Sequence, residues 1–318
     1  MKKQGIIKTE EMKEAILQSG YLLEQRVEPV LQKAGYFVTT NAAYPDPFTG
    51  KSREIDIEAL SAIKISRDFD FIFPYLICEC ENNQQPIIFF IKDSPISFLF
   101  YEEVKSVGIP SRFLERKKST KYGYKFKGRK LYIGLSDFLN FEKYHHYCKG
   151  LVSTQYCTFT RKDIQKPWIA FHSYVQHDSL TNLLFALEAK IDEYYESYVS
   201  PSKNEQNNIN IQVFYPVLIL QGDLYSAQIR KGKLELKKCK HIQYRKEYFS
   251  KKKQTTYQID VISESFLPKY LKIIDKEMEM AKKILKRKIK IVRKSIEVLT
   301  EIARKKKKGE TFREIFEF

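Results

Sequence analysis

Cysteine, glycine and proline are scarce in this chain, acidic residues are outnumbered, and long apolar runs are missing. Five cysteines, an odd number in 318 residues, do not make a disulfide framework. Twelve glycines and eleven prolines exclude collagen-like and low-complexity chains. No stretch approaches the roughly eighteen uncharged apolar residues of a membrane-spanning helix. The opening MKKQGIIKTEEMKEA lacks the apolar core of a secretory signal. These absences predict a cytoplasmic protein that does not enter the membrane. There is no Gly-rich phosphate loop and no Gly-X-Ser-X-Gly elbow, so ATP hydrolysis and serine acyl chemistry have no support.

Aromatics and positive charge are abundant. With 22 Phe, 21 Tyr and 43% hydrophobic residues, the chain can build a large core and is not disordered. Fifty-six Lys and Arg against 39 Asp and Glu give a net charge of +17, which attracts polyanions because each neutralised phosphate releases counterions. The charge is blocked. Residues 112–130 carry nine Lys/Arg and one Glu, 230–253 eleven against two, and the segment after Leu267 seventeen against eight. Tyr and Phe lie between the charges of the first two blocks. That mixture suits backbone tracking with base stacking. Membrane lipid is the weaker fit, since these segments lack a strong apolar face. In the first block Arg116, Lys117, Lys118, Lys121, Lys125, Lys127, Arg129 and Lys130 are the expected nucleic-acid contacts.

Periodicity predicts a helix over 11–35, strands at 36–40, 53–60, 71–80 and 86–91, and a helix near 96–107. A strand at 131–134, a helix at 137–148, strands at 155–159 and 168–172 and a helix at 179–198 follow. A polar segment at 201–208 reads as a linker. Beyond it come strands at 210–220, 224–229, 233–236 and 257–262. Leu267, Leu271, Ile274, Met278, Ala281, Leu285, Ile289 and Val292 begin a helical seam of about 35 residues with one stutter. It packs on the body or on a partner, including a second copy. The expected fold is α/β: a mixed sheet flanked by helices over 1–200, and a smaller β-rich part with a long basic helix over 209–318.

The chemistry-bearing pattern lies early. Glu24 sits on the first helix. Arg53-Glu54-Ile55-Asp56-Ile57-Glu58 is one strand, and Leu76-Ile77-Cys78-Glu79-Cys80-Glu81 another. Alternation sends Glu79 and Glu81 to one face and Cys78 and Cys80 into the core, and sets Asp56 beside Glu54 and Glu58. If the strands are neighbours, Asp56, Glu79 and Glu81 converge, and three such carboxylates require a cation. Oxygen-only ligation selects Mg²⁺ or Mn²⁺.

At these residues the chain resembles the PD-(D/E)XK nuclease superfamily over about residues 15–92. The resemblance implies a restriction-endonuclease-like fold and a metal-dependent endonuclease acting on DNA, double-stranded DNA foremost, with RNA as the other candidate, in restriction or phage defence. It implies Asp56, Glu79 and the Cys80 carbonyl as metal ligands, Glu24 as a supporting group, and a weak substrate contact at Gln155. Where the family usually has Lys, this chain has Glu81, a variant that some restriction enzymes of the superfamily share. Glu81 would then activate the water itself, or a second metal would, or a lysine such as Lys92 or Lys162 would fill the space. A site that has lost cleavage, in a nucleic-acid-binding or scaffold subunit, is the alternative. His145-His146 with Cys148 and Cys157 could hold Zn²⁺, but structural residues are the simpler reading. His172 and His177 are candidate bases, read more simply as structural.

Overall fold

The computed structural model describes residues 6–19, 21–67, 69–92, 104–115, 131–197, 208–249 and 254–305. The basic contacts expected at Arg116, Lys117, Lys118, Lys121, Lys125, Lys127, Arg129 and Lys130 lie outside these residues.

The amino-terminal helix is two helices, α1 (Thr9–Gln18) and α2 (Tyr21–Lys33), whose Leu23, Val27 and Leu31 face the core. Then follow β1 (Phe37–Pro45), β2 (Ser52–Leu60), the short β3 (Ile63–Lys64), β4 (Phe71–Glu81) and β5 (Ile87–Ile91). The expected helix at 96–107 falls largely outside the described residues, and its end belongs to β6 (Ser106–Ile109). After β7 (Phe113–Glu115) and β8 (Leu131–Ile133), the expected helix at 137–148 is broken. Asn140, left-handed at φ 55°, separates α3 (Leu135–Leu139) from α4 (Phe141–Tyr144), and a 3₁₀ turn spans His146–Cys148. Next come β9 (Val152–Thr160), β10 (Ile169–Phe171) and α5 (Tyr174–Ser197). β11 (Asn210–Leu220), β12 (Leu224–Arg230), β13 (Lys233–Cys239), β14 (His241–Phe249) and β15 (Gln254–Ser263) follow, then α6 (Leu267–Arg287) and α7 (Ile289–Lys305).

The protein is mixed α/β. Thirteen of the described strands join one mixed sheet, along the path β1-β2-β4-β11-β15-β14-β9-β5-β12-β13, with β3, β6 and β10 attached beside it. β1, β2 and β4 are antiparallel neighbours, whereas β4, β11 and β15 run parallel. β11 is apolar almost throughout because both of its faces are covered. Val213, Tyr215, Val217 and Ile219 join the core under α2, α6 and α7, while Phe214, Leu218 and Leu220 join the core under α5.

The expected boundary at 201–208 is not a boundary in the sheet. β11 pairs with β4 from Asn210–Phe71 to Leu220–Glu81. Buried Asp70 accepts the Ile209 N–H at 2.9 Å and pairs with Arg293 of α7. The carboxy-terminal seam is likewise split. Lys288 leaves helical geometry between α6 and α7, where the apolar spacing stutters. Its residues Leu271, Ile274, Met278, Leu285, Val292 and Ile296 are buried on the sheet, so this seam packs on the body. Among the described residues, no helix is long and apolar enough to cross a membrane.

Candidate functional site

The ladder between β2 and β4 ends at Ile57–Cys78. Beyond that pair the strands part, and Asp56 Oδ2 accepts the Cys80 N–H at 2.7 Å. Directly across β2, Asn41 of β1 is left-handed at φ 49°, between the pairs Thr40–Ile57 and Ala42–Ile55. Alternation is interrupted here: Ile55 belongs to the core under α5, whereas Ile57 and Ala59 belong to the core under α2. Asp56 therefore does not share a simple face with Glu58, which accepts a hydrogen bond from Tyr75 at 2.7 Å and pairs with Lys190 of α5 at 3.2 Å. It occupies the gap between two strands. Within a strand a residue's N–H and C=O point to the same edge, so the Cys80 carbonyl faces this gap too.

Glu79 meets Asp56 in the gap through a side-chain hydrogen bond. Burial pushes the Glu79 carboxyl up to about 9, helped by the Asp56 charge and opposed by a hydrogen bond from Asn182. Asp56 is raised by burial as well, although the Cys80 N–H and Glu79 oppose the rise. Glu24 of α2 completes the group: burial and then the Asp56 charge lift it to about 7. No described Lys or Arg pairs with Asp56, Glu79 or Glu24. A half-buried set of oxygen donors short of positive charge fits a hard divalent cation. Asp56, Glu79, the Cys80 carbonyl and Glu24 are the groups that would hold it.

Glu81 does not join them. It points toward the first turns of α5 and accepts a hydrogen bond from Gln176 Nε2, leaving Glu81 Oε2 and Gln176 Oε1 buried without hydrogen-bond partners. Burial raises its carboxyl, opposed by that hydrogen bond. The expected convergence of three acids is thus corrected to Asp56 with Glu79, supported by Glu24. Gln176, Ser179 and Asn182 recur at steps of three, so one face of α5 lies along the acidic row of β4. Arg53 Nη1 donates to Asn182 Oδ1 at 3.0 Å, which brings a guanidinium behind Glu79. The sequence held no local signal for Asn182, Gln176 or Arg53, since each reaches the row across a tertiary contact.

The other candidates lie elsewhere. Gln155 is exposed on β9, and alternation turns its neighbour Tyr156 inward, where the Glu81 charge helps burial raise the phenol. Lys162 is in an exposed loop after β9. Lys92, at the end of β5, donates its N–H to Val152 O. Cys78 and Cys80 are core residues as expected. His172 is exposed and its ring lies 4.3 Å from that of Tyr156, with His177 at 5.8 Å from His172.

A second constellation surrounds His146, the tightest gathering of potential ligands among the described residues. Its Nε2 is 2.9 Å from Asp260 Oδ2 and its Nδ1 is 2.9 Å from Glu277 Oε1. His241 Nε2 lies 2.7 Å from Asp260 Oδ1, Tyr270 donates to Asp260 at 2.6 Å, and Tyr215 donates to Glu277 at 3.2 Å. His145 Nε2 is 3.5 Å from Glu277 Oε2. Burial pulls His146 down, but the charges of Asp260 and Glu277 outweigh it and hold the imidazolium at about 10. Both carboxylates stay below their usual range because the neighbouring histidines overcome their burial, His145 and His146 at Glu277 and His146 and His241 at Asp260. Cys148 is turned to the Phe141 carbonyl, 3.6 Å from its Sγ, so the His–Cys grouping weighed for Zn²⁺ gives way to a protonated histidine between two acids. These groups form one buried hydrogen-bonded network that ties the His146 turn to β15 and α6.

Compared with protein-family models, curated proteins and solved structures, the chain matches none.

Proposed function

We propose that the protein is a metal-dependent endonuclease of restriction-endonuclease-like architecture that hydrolyses DNA phosphodiester bonds with Mg²⁺ or Mn²⁺. The observation that carries the reading is the Asp56–Glu79 pair, joined by a side-chain hydrogen bond where the β2–β4 ladder opens, with Glu24 and the Cys80 carbonyl beside it. The order of elements supports it. Two helices, α1 and α2, precede the antiparallel strands β1, β2 and β4, and α5 leads to β11, which lies parallel to β4. A basic chain that attracts phosphate polymers agrees. Restriction or phage defence is the setting the resemblance suggests; RNA is the other substrate.

A divalent ion held here would lower the pKa of a water and neutralise charge on the phosphodiester. Asp56 and Glu79 would provide its anionic ligands. Asn182, with Arg53 behind it, holds Glu79 in orientation. Glu81, raised by burial and bonded to Gln176, stands farther along the strand, outside the group that would hold the ion.

The test is plasmid nicking with Mg²⁺ or Mn²⁺ by the full chain beside Asp56→Asn and Glu79→Gln. Both variants should lose about 10²-fold or more of the rate while keeping the wild-type circular dichroism. Nicking that survives in either variant refutes this site. A second reading, a nucleic-acid-binding or scaffold subunit without cleavage, is favoured by Glu81 standing where an ammonium group is usual and being engaged with Gln176. Salt-sensitive DNA binding with no nicking under any metal would establish it.

A further inference from the structure

The outer face of α6 is a row of cations. Lys269, Lys272, Lys276, Lys283, Lys286 and Arg287 are all exposed, and their steps of three, four and seven residues keep them on one side of the helix. The opposite side sends Leu271, Ile274, Met278, Ala281 and Leu285 into the core. At 1.5 Å per residue the row is about 27 Å long. Exposed Lys290 and Lys294 follow on α7. Of the two exposed acids of α6, Asp275 and Glu279, the second pairs at 3.2 Å with Lys282, which lies outside the row. Among the described residues none of the six cations forms an ion pair.

The charge is not spread over every helix. α5, the longest described helix, exposes Asp178, Asp192 and Glu193, and its Lys190 is turned to Glu58 and Glu193. α1 exposes Glu10, Glu11 and Glu14 against Lys13. Like charges three or four residues apart destabilise a helix. Lys269–Lys272, Lys272–Lys276, Lys283–Lys286 and Lys283–Arg287 are such pairs, and a polyanion laid along the row would relieve their repulsion.

The same face selects among polyanions. Met280 is the one large apolar residue exposed on α6, so nothing there anchors a lipid surface. The aromatic residue of this helix, Tyr270, is fully buried, so no ring is offered to the bases of a single strand. A duplex hides its bases and presents a phosphate about every 3.4 Å of axis on each strand. A row of six cations can meet several of these at once.

We propose that the outer face of α6 is the docking surface for double-helical nucleic acid, with backbone phosphates on Lys269, Lys272, Lys276, Lys283, Lys286 and Arg287. The Arg26–Glu264 pair ties the turn before α6 to α2, the helix that carries Glu24. A duplex held here lies on the layer that supplies Glu24. The inference rests on the reading that the substrate is a nucleic acid, but the binding does not depend on cleavage.

The full chain, in EDTA, is titrated by anisotropy with a labelled duplex of about twenty base pairs, between about 50 and 200 mM salt. One variant combines Lys272→Gln, Lys276→Gln, Lys283→Gln and Lys286→Gln. A second removes as much charge from the exposed β12–β13 hairpin, through Lys231→Gln, Lys233→Gln, Lys237→Gln and Lys240→Gln. Gln matches Lys in helix propensity, so both should keep the wild-type circular dichroism. The first should bind at least about tenfold more weakly at about 100 mM salt, and its plot of log affinity against log salt should flatten by about three to four. The second should stay within about twofold of the wild type. Equal losses in the two variants, an unchanged slope in the first, or tighter binding of a single strand or of phosphatidylserine vesicles than of the duplex overturns the proposal. Duplex binding that only the first variant loses, by a wild type that nicks with no metal, sinks the nuclease and spares the surface. Nicking with equal losses does the reverse.

Discussion

Glu79 carries the most informative single ionisation. Its carboxyl is held at about 9 by burial and by Asp56, against an ordinary value of 4.5. Because the folded value lies above the unfolded one, its contribution to stability is intact at low pH and is lost progressively from about pH 4.5 to about 9. A divalent cation favours the ionised pair and must displace a proton to bind. Stabilisation by Mg²⁺ should therefore grow with pH. Thermal unfolding at about pH 6 and about pH 8.5, with and without Mg²⁺, should give a clearly larger rise in Tm at the higher pH, and Glu79→Gln should abolish the difference. Equal rises at both pH values, or a rise that persists in the variant, would show that any bound cation sits elsewhere. Asp56 and Glu79 could be found from alternation and charge alone. Glu24 entered only through the family resemblance, and the aim of Glu81 was misread because the strand pattern says nothing about α5.

At the level of elements, the strands of the buried sheet were the most legible, since runs such as 71–81 and 210–220 are apolar enough to allow no other placement. β14 escaped notice. Its sequence HIQYRKEYF reads as a basic stretch, yet it pairs along its whole length with β15. Pairing with a committed neighbour overrides weak local propensity. The turn between β11 and β12 shows the same dependence on a partner. Asn83 Oδ1 accepts the Gly222 N–H at 2.8 Å, and Asn83 Nδ2 donates to Gln85 O at 3.0 Å. A Cβ on Gly222 would fall 2.6 Å from Asn83 Nδ2 and closer still to its carbonyl oxygen. Gly222→Ala should cost about 1–3 kcal/mol in urea unfolding, and an unchanged midpoint would show that the link from β4 to β5 is free to yield. The glycine itself was visible; its close approach to a residue of another loop was not.

Across the whole molecule, the ion network around His146 fastens what the sequence divides. His146 comes from the part before 200, whereas Asp260 and Glu277 come from β15 and α6. His146→Leu would leave two buried acids facing each other without the imidazolium between them, a loss of about 3–5 kcal/mol. Because β11 joins β4 and β15 in one sheet, the variant should unfold in a single transition shifted to lower urea, not in two. Circular dichroism and Tyr fluorescence that report separate midpoints would argue for independent units.

The sequence alone determined the α/β class, most strand positions, the basic character of the chain, and the two acids that pair, because periodicity and charge are local properties written residue by residue. The opening of the ladder at Asp56, the turning of Glu81 toward Gln176, the splitting of the carboxy-terminal seam and the union of both parts in one sheet were decided by tertiary structure. Each depends on which distant strand or helix becomes a neighbour, and burial of apolar surface over the whole chain makes that choice.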